Sequence, residues 1–422
     1  MSDRSPVWHP FTQHASAPDA LHIAHAEGAT LYTPDGRAIL DAISSWWVNT
    51  HGHCHPHIAR AIAEQASTLE QVIFAGFTHD KAEQLARKLL ALAPGQARFA
   101  FYSDSGSTAV EVALKMAVGA WHNRGRARTR IIALEHAYHG DMFGAMAVGH
   151  RGVFSAAYDR MLFEVIRLPF PARGDEQKTL DALAQLLRAS PDAHAALIVE
   201  PLVLGAGGML MYAPPVLAEL AALCRRHDVF LIADEVMTGF GRTGTLFACE
   251  QASVAPDLLC LSKGLTGGFL PMGATLATEE IYDAFYSTDR SKAFFHSSSY
   301  TGNAIACAAA IANLEIWEQE PVRDRIAAIA AHHARRLGAL GTRAEIANLR
   351  QTGTIAAIEL RAPDSGYLAG LGPRLQAFYL ERDILLRPLG NVVYVLPPYC
   401  TRADELDRIY DVVEESLGLV GR

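Results

Sequence analysis

A lysine and an aspartate stand 29 positions apart in this sequence, each at the end of a short apolar run. Lys263 follows LLCLS and precedes a glycine-rich turn, and Asp234 ends the uncharged run VFLIA. An amine delivered by an apolar strand is partly desolvated, which lowers its pKa and leaves a neutral nucleophile. A carboxylate in such a run needs a cationic partner, because burying a lone charge is costly. For each residue alone there is an ordinary alternative, a surface lysine in a turn for Lys263 and a helix cap for Asp234. Together the two residues predict a site at which the lysine binds a cofactor covalently.

An anion site is predicted where three small residues, Ser105, Gly106 and Ser107, precede a helix-like segment at 107–118. Free N–H groups and the helix dipole bind anions at such a terminus, and hydroxyls add donors. Ordinary N-capping by serine explains the same motif equally well. A reactive lysine, an acid suited to a ring nitrogen and a phosphate site together favour pyridoxal phosphate (PLP) as cofactor.

Short apolar runs alternate with amphipathic segments in the first three quarters of the chain. The runs that read as buried strands are 97–102, 131–134, 196–199, 229–233 and 258–261, and helix-like stretches include 107–118, 180–187 and 215–226. This alternation predicts an α/β fold with a mostly parallel central sheet covered by helices. Because ligands collect at the carboxyl ends of such strands, the polar residues that follow the runs are predicted to share one site.

The pattern changes near residue 310, which predicts two domains. Residues 51–310 would form the large, cofactor-binding domain. Long helical segments and short strand-like pieces follow, which is typical of a smaller α+β domain. The first 50 residues also contain short strand-like pieces, at 30–32 and 38–40, and are predicted to join residues 311–422 in the small domain.

Composition argues against several classes of protein. The 422 residues carry a net charge of -8 without a long basic block, so we expect no nucleic-acid partner. No apolar stretch has the length of a membrane span, and the N-terminus lacks the apolar core of a signal peptide. Six scattered cysteines without a CxxC pair fit a reducing cytoplasm. We expect no metal at the histidine-rich segment 51–57, because Pro56 breaks any helical pairing of its histidines.

A second pattern founds a remote alternative, a nicotinamide-dependent dehydrogenase. Gly239, Gly241 and Gly244 match the GxGxxG pattern of dinucleotide-binding loops and follow a predicted strand. However, no clear helix of the right length follows, and no strand-ending acid lies about 20 residues further on. A tight loop is therefore the preferred interpretation.

The longest motifs resemble those of the class III, fold-type-I PLP-dependent aminotransferases. They are WHPFTQ near the start, DAISSWW, SDSGSTAVEVALKMA, AYHGD, FLIADEVMTGFGRTG, LLCLSKGLTGG and RPLGNVVYVLPP. The resemblance spans nearly the whole chain. It implies the fold-type-I architecture, a two-stage transamination with PLP, and a homodimer whose subunits share active sites.

The resemblance also implies roles for single residues. Lys263 would hold PLP as a Schiff base and move a proton between substrate and cofactor, Asp234 would hold the pyridinium, and Tyr138 would stack near the ring. The phosphate would be bound by the segment containing Ser105, Gly106 and Ser107, helped by the partner subunit's Ser298 and the partner subunit's Ser299. The implied substrate site comprises Phe11, Trp46, Trp47, Tyr138, Ser297 and Arg387, with the arginine clamping a carboxylate, and the secondary candidates are Asp141, Arg242 and Tyr394.

Within the family, the pair Trp46 and Trp47 resembles a motif of the branch that converts 8-amino-7-oxononanoate to 7,8-diaminononanoate in biotin biosynthesis. The favoured amino donor is S-adenosylmethionine. Lysine, used by a branch that is similar at FTQ and SYTGN, is one alternative, and another class III ω-aminotransferase activity is a second. Two departures affect the substrate pocket, since Phe11 stands where many members have tyrosine and Ser297 where many have glycine.

Overall fold

A computed structural model describes residues 5–363 and 366–420. Its strands are β1 (His25–Glu27), β2 (Thr30–Tyr32), β3 (Ala38–Asp41), β4 (Ala97–Ser103), β5 (Arg130–Leu134), β6 (Ile166–Leu168), β7 (His194–Val199), β8 (Val203–Leu204), β9 (Leu210–Met211), β10 (Phe230–Asp234), β11 (Leu258–Leu261), β12 (Gly273–Thr278), β13 (Ile346–Thr352), β14 (Ile355–Leu360), β15 (Ile384–Leu385) and β16 (Val392–Val395).

Helices alternate with these strands through most of the chain. They are α1 (Ser44–Trp47), α2 (Pro56–Ala66), α3 (Asp80–Leu92), α4 (Gly106–Asn123), α5 (Phe143–Val148), α6 (Glu176–Ala189), α7 (Pro214–Arg226), α8 (Glu279–Asp283), α9 (Ala304–Gln319), α10 (Val322–Leu340), α11 (Leu371–Glu381) and α12 (Ala403–Ser416). Every strand and helix predicted from the sequence is present, with ends that differ by a few residues.

The central sheet has seven strands in the order β4-β12-β11-β10-β7-β5-β6. Strand β12 is antiparallel to both of its neighbours, whereas the other pairings are parallel. The prediction of a mostly parallel α/β sheet is therefore confirmed. Strands β6 and β12 were not predicted, because IRL is short and GATLAT lacks the large apolar residues that mark a buried strand.

Both faces of this sheet are covered, which explains the nearly uninterrupted apolar composition of its inner strands. Every residue of β7, β10 and β11 is buried. The α4 side chains Val110, Ala113 and Trp121 pack with alternate strand residues in one core, and a larger core occupies the opposite face and extends into the C-terminal region. A sheet that is apolar on both faces can expose its polar groups only at strand ends, where a site must then form.

Strand pairing links the two ends of the chain. Strands β1, β2 and β3 form a sheet that β15 completes by pairing in parallel with β3. A separate antiparallel sheet contains β13, β14 and β16. These pairings accord with an N-terminal segment that joins the C-terminal region, and the domain boundaries at residues 50 and 310 remain a prediction. No helix in the described ranges is long and apolar enough to cross a membrane.

Candidate active site

Side chains from four strand ends contact one another at the carboxyl edge of the central sheet. After β5, the backbone N–H of Tyr138 donates to Glu200 Oε1 (2.9 Å), which follows β7. His139 Nδ1 lies 2.7 Å from Oδ2 of Asp234, the last residue of β10. The backbone N–H of Asp141 donates to Ser107 Oγ (3.1 Å), at the start of α4 after β4. These contacts bring together residues that the sequence predicted to share a site.

Lys263 enters this site from a short helical turn directly after β11, with φ of 44°. Its Nζ lies 4.9 Å from the centre of the Trp47 ring and makes no hydrogen bond to any residue that the structure describes. Burial lowers the pKa of Lys263, while the negative charges of Asp234 and Glu200 act in the opposite direction. A half-buried amine without a hydrogen-bond partner is suited to act as a nucleophile.

The Asp234 carboxylate is buried and already oriented by two donors. His139 holds Oδ2, and the backbone N–H of Val236 donates to Oδ1 (3.1 Å). A carboxylate can only accept, so Nδ1 of His139 must carry the hydrogen of this bond. The other ring nitrogen of His139, Nε2, is buried and has no partner among the described residues. Sequence reasoning missed His139, because nothing in AYHGD indicates which residue the imidazole contacts.

The start of α4 is suited to bind an anion through its first two residues, Gly106 and Ser107. Ser105 and Thr108 form a capping box, in which the Ser105 hydroxyl accepts from the Thr108 N–H (3.2 Å) and the Ser105 N–H donates to Thr108 Oγ1 (2.8 Å). The backbone N–H groups of Gly106 and Ser107 bond to no described residue. The cap uses the Ser105 N–H and a lone pair of its hydroxyl, and the part of Ser105 in binding the phosphate remains a prediction.

Glu200 and Tyr138 form the side of the site next to β5 and β7. Burial raises the pKa of Glu200 to about 7, although the Tyr138 and Gly205 N–H groups donate to its two oxygens. Burial and the nearby carboxylate of Asp141 raise the pKa of the Tyr138 hydroxyl, which stays protonated at neutral pH. Glu200 carried the same signal as Asp234, an acid after an uncharged strand.

The two tryptophans point to different environments because the backbone of α1 is strained. Ser44, Ser45 and Trp47 have φ of 53°, 61° and 67°, and Asp41 accepts from the backbone N–H of Ser45. Trp47 is buried and its Nε1–H donates to the Tyr394 hydroxyl (3.0 Å), whereas 42% of Trp46 is exposed. Trp47 thus lines the site beside the lysine.

Arg387 lies against the exposed tryptophan. Its guanidinium carbon is 5.2 Å from the centre of the Trp46 ring, and its Nη2 is 3.5 Å from the carbonyl oxygen of Phe11. The Phe11 ring lies 5.5 Å from that of Trp46. Three residues predicted for the substrate site are therefore adjacent, although they are distant in sequence.

A model of the family described as aminotransferase class-III matches residues 11–417. The chain belongs to the class III aminotransferase family. The adenosylmethionine-8-amino-7-oxononanoate aminotransferase of Synechococcus elongatus is 50% identical over 418 residues, which cover 97% of this chain and 98% of the relative. The enzyme of the same name from Geobacter sulfurreducens is 38% identical, covering 99% and 97%.

Solved structures of class III aminotransferases have the same fold. The adenosylmethionine-8-amino-7-oxononanoate aminotransferase of Methanocaldococcus jannaschii gives a TM-score of 0.94 at 34% identity, covering 99% of this chain and 98% of that one. An amine transaminase from an uncultivated Pseudomonas species, solved with PLP bound, gives 0.93 at 32% identity and covers 99% of both chains. The family and this PLP-bound neighbour identify PLP as the cofactor.

The donor set of this class III aminotransferase fits PLP. Asp234 offers a buried, oriented carboxylate for a pyridinium nitrogen, and Lys263 offers an amine free of hydrogen bonds. Gly106 and Ser107 offer two backbone N–H groups at the start of an 18-residue helix. The Ser107 hydroxyl accepts from Asp141 and keeps its own hydrogen to donate.

Three predicted residues lie on a largely exposed segment, and their roles remain predictions. Ser297 donates to the Ser298 carbonyl, Ser298 Oγ donates to Asp104 Oδ1 (2.8 Å), and Ser299 is exposed. Asp104 directly precedes the capping box of α4, so this segment lies near the start of α4 in its own chain, where the phosphate is expected to bind.

The glycine-rich loop at 239–244 does not form a dinucleotide site. Gly241 has φ of 95°, and a Cβ there would lie 2.6 Å from side-chain atoms of both Ile326 and Trp317. A loop packed this closely against α9 and α10 leaves no room for a pyrophosphate, and only a short turn at Ala248–Ala252 follows it. The dehydrogenase alternative is therefore wrong. Neighbouring Arg242 is buried and donates to the carbonyl oxygens of Pro397 and Trp47, which is a structural role.

The histidines of segment 51–57 point to separate partners rather than to a common centre. Three of them pair singly with carboxylates, as His53 with Asp41 (2.9 Å), His55 with Glu320 (3.0 Å) and His57 with Glu315 (2.8 Å). His51 packs against the rings of Trp317 and Tyr399. The pairs of His55 and His57 hold the start of α2 against the C-terminal part of α9, and the pair of His53 links the same segment to β3.

Proposed function

We propose that this chain transfers an amino group from S-adenosylmethionine to 8-amino-7-oxononanoate, giving 7,8-diaminononanoate in biotin biosynthesis. The observation that carries the proposal is the Lys263 amine, which lies beside Trp47 without a hydrogen bond to any described residue, in a site with a buried acid and a helix end suited to an anion. Full-length relatives named for this reaction support the substrate assignment.

The reaction needs a group that exchanges amines and a base that moves protons. PLP, when bound, supplies an aldehyde for amine exchange and a ring that withdraws electrons from the substrate carbon. Asp234 would keep the ring nitrogen protonated, and Gly106 and Ser107 would hold the phosphate. Lys263, whose lowered pKa favours the neutral amine, would accept the proton from the amine-bearing carbon of the donor.

Acceptor recognition would use the exposed side of the site. The substrate 8-amino-7-oxononanoate ends in a carboxylate, which suits the two-pronged guanidinium of Arg387. Its apolar chain suits the rings of Trp46 and Phe11. Trp47 and Tyr138 would enclose the reacting end, where water would otherwise compete for the lysine.

The test is a direct assay of the purified enzyme with PLP. Mass spectrometry should detect 7,8-diaminononanoate when S-adenosylmethionine and 8-amino-7-oxononanoate are both supplied. Lys263→Ala should abolish the product, whereas Lys292→Ala, which changes a lysine outside the site, should retain it. Product formation with lysine but not with S-adenosylmethionine would overturn the donor assignment, and no product with either would overturn the reaction.

We also propose a cytoplasmic homodimer in which the partner's Ser298 and the partner's Ser299 complete each phosphate site. Support comes from large apolar side chains that are exposed around this segment, Ile73, Phe77, Phe295 and Tyr300. All six cysteines are free, which fits a reducing compartment. Sedimentation should give twice the mass of 45.7 kDa, and Ser299→Ala should weaken PLP binding without dissociating the dimer.

A further inference from the structure

The side chains of Phe11, Trp46, Phe154, Tyr367 and Arg387 form a cage beside the site. Phe154 and Tyr367 were not among the residues predicted to bind substrate. The Phe11 ring lies 5.5 Å from Trp46, 5.8 Å from Phe154 and 6.5 Å from Tyr367. Phe154 and Tyr367 also meet edge to face at 4.7 Å. These contacts join the N-terminal segment to two other loops of the chain.

Tyr367 is the ring that also approaches the arginine. Arg387 Nη2 donates to the Tyr367 hydroxyl at 3.4 Å. Arginine can only donate, so the hydroxyl accepts here and keeps its own hydrogen. That hydrogen goes to no other residue that the structure describes. A carboxylate bound by Arg387 would therefore find a second donor next to it.

We infer that Tyr367 is a specificity-determining residue whose hydroxyl binds the acceptor's terminal carboxylate together with Arg387, while Phe154 closes the cage around the apolar chain. The inference rests on the proposed function, because it takes 8-amino-7-oxononanoate as the acceptor. It adds two residues that no motif in the sequence indicated, since both lie in irregular loops, distant in sequence from Phe11 and Arg387.

One cavity is shared by two rings of the cage and two residues of the site. Its volume is about 470 Å³, and its lining includes Phe154, Tyr367, Tyr138 and Asp141. Most of its lining is apolar, which suits a chain of methylene groups, because each one removed from water favours binding. A carboxylate at the far end of such a chain gains most from donors that are already held in place.

The decisive experiment compares the acceptor acid with its methyl ester in Tyr367→Phe. For the acid, losing one hydrogen bond to a charged group should raise KM about tenfold, with kcat little changed. For the ester, which has no carboxylate charge, the variant and the unchanged enzyme should have the same KM. The half-reaction with S-adenosylmethionine alone, followed by the cofactor's absorption, should keep its rate, because the carboxylate of this donor is attached to the reacting carbon and does not lie at the far end of a chain.

Two further measurements separate recognition from folding. Tyr286→Phe, at a hydroxyl that is exposed and outside the cage, should leave both KM values unchanged. Calorimetric titration of the PLP-loaded enzyme should show the same tenfold weakening for the acid. For Phe154→Ala, the loss in affinity should be equal for acid and ester, because a ring contacts the chain rather than the charge.

The outcomes distinguish this inference from the function on which it rests. If the unchanged enzyme does not aminate the acid, the proposed function fails and the inference fails with it. If the acid is aminated but Tyr367→Phe leaves its KM unchanged, or raises KM equally for the ester, only the inference is overturned.

Discussion

His139 is the residue whose part in the site emerged only from the structure. Its imidazole holds Asp234 Oδ2 at 2.7 Å, a charge-assisted bond inside the protein. Without it, the carboxylate keeps only the Val236 N–H and can turn away from the cofactor's ring nitrogen. His139→Leu should therefore weaken PLP binding by about tenfold, equivalent to ~1.4 kcal/mol, in a fluorescence titration of the cofactor-free enzyme.

A matched control exists for this variant. His194 is also fully buried, but it lies at the opposite, amino end of β7 and neither ring nitrogen has a described partner. His194→Leu should leave PLP affinity unchanged. Equal weakening in the two variants would show that His139 acts through general packing rather than through Asp234.

Among the structural elements, the loop at 239–244 is explained by tight packing rather than by a ligand. An alanine at Gly241 would combine a φ of 95° with contacts at 2.6 Å to Ile326 and Trp317. Gly241→Ala should reduce the free energy of unfolding by about 2–4 kcal/mol in urea denaturation, from left-handed strain and overpacking together.

A glycine-to-alanine substitution in α10 should instead raise the free energy of unfolding. Gly338 lies in α10 with ordinary helical φ, and nothing lies within 4 Å of its added Cβ. Gly338→Ala should stabilise the protein by roughly 0.5–1 kcal/mol, because alanine has the higher helix propensity. A stable Gly241→Ala variant would contradict the packing described for this loop.

The packing of α10 against α12 should make stability depend on pH. His333 lies in α10, where its Nε2 is 3.1 Å from the Thr354 carbonyl and its Nδ1 is 2.8 Å from the Tyr410 hydroxyl of α12. Burial lowers its pKa from 6.5 to about 4. As pH falls below 6.5, the unfolded chain gains a proton that the folded protein does not, so stability is lost progressively down to about pH 4.

The size of this effect can be isolated with a neutral replacement. Between pH 7 and pH 4 the buried imidazole should cost roughly 3 kcal/mol of unfolding free energy. His333→Gln should show a loss that is smaller by that amount over the same range. His22→Gln, which changes an exposed histidine, should keep the slope of the unchanged protein, and an unaltered slope in His333→Gln would refute the prediction.

The sequence predicted the elements with strong patterns and missed those without them. Strand β7 is six buried residues and was evident, whereas β12 is built from small residues and is identifiable only by its neighbours β4 and β11. Lys263 and Asp234 were predictable because charged groups at apolar strand ends are rare. His139, Phe154 and Tyr367 were not, because their significance depends on contacts between distant segments.

Across the whole molecule, Arg242 joins the loop that follows β10 to segments near both ends of the chain. It is buried, donates to the carbonyls of Trp47 (3.3 Å) and Pro397 (3.0 Å), and lies over the Tyr399 ring. Arg242→Met would leave two carbonyls without donors and should destabilise the protein by roughly 3 kcal/mol in urea denaturation. Activity should fall as well, because Trp47 packs beside Lys263.

A lysine at position 242 offers a stricter test. One ammonium group cannot reproduce a planar donor that reaches two carbonyls, so Arg242→Lys should remain destabilised. Arg98→Met, at an exposed arginine, should have the stability of the unchanged protein. Full recovery in Arg242→Lys would mean that position 242 needs only a positive charge.

The pairing of β4 with the much later β12 has a consequence for biosynthesis. Strand β4, which delivers the phosphate end of the site, is at the sheet's edge and pairs there only with β12, about 170 residues later in translation. Trp47 likewise lacks its hydrogen-bond partner Tyr394 until a much later segment has been synthesised. At elongation rates of about 5–20 residues per second, the first delay alone is on the order of ten seconds. A nascent chain from which the segment containing Tyr394 has not emerged thus has no complete pocket, and capture of the vitamin B6 derivative must follow the emergence of that segment.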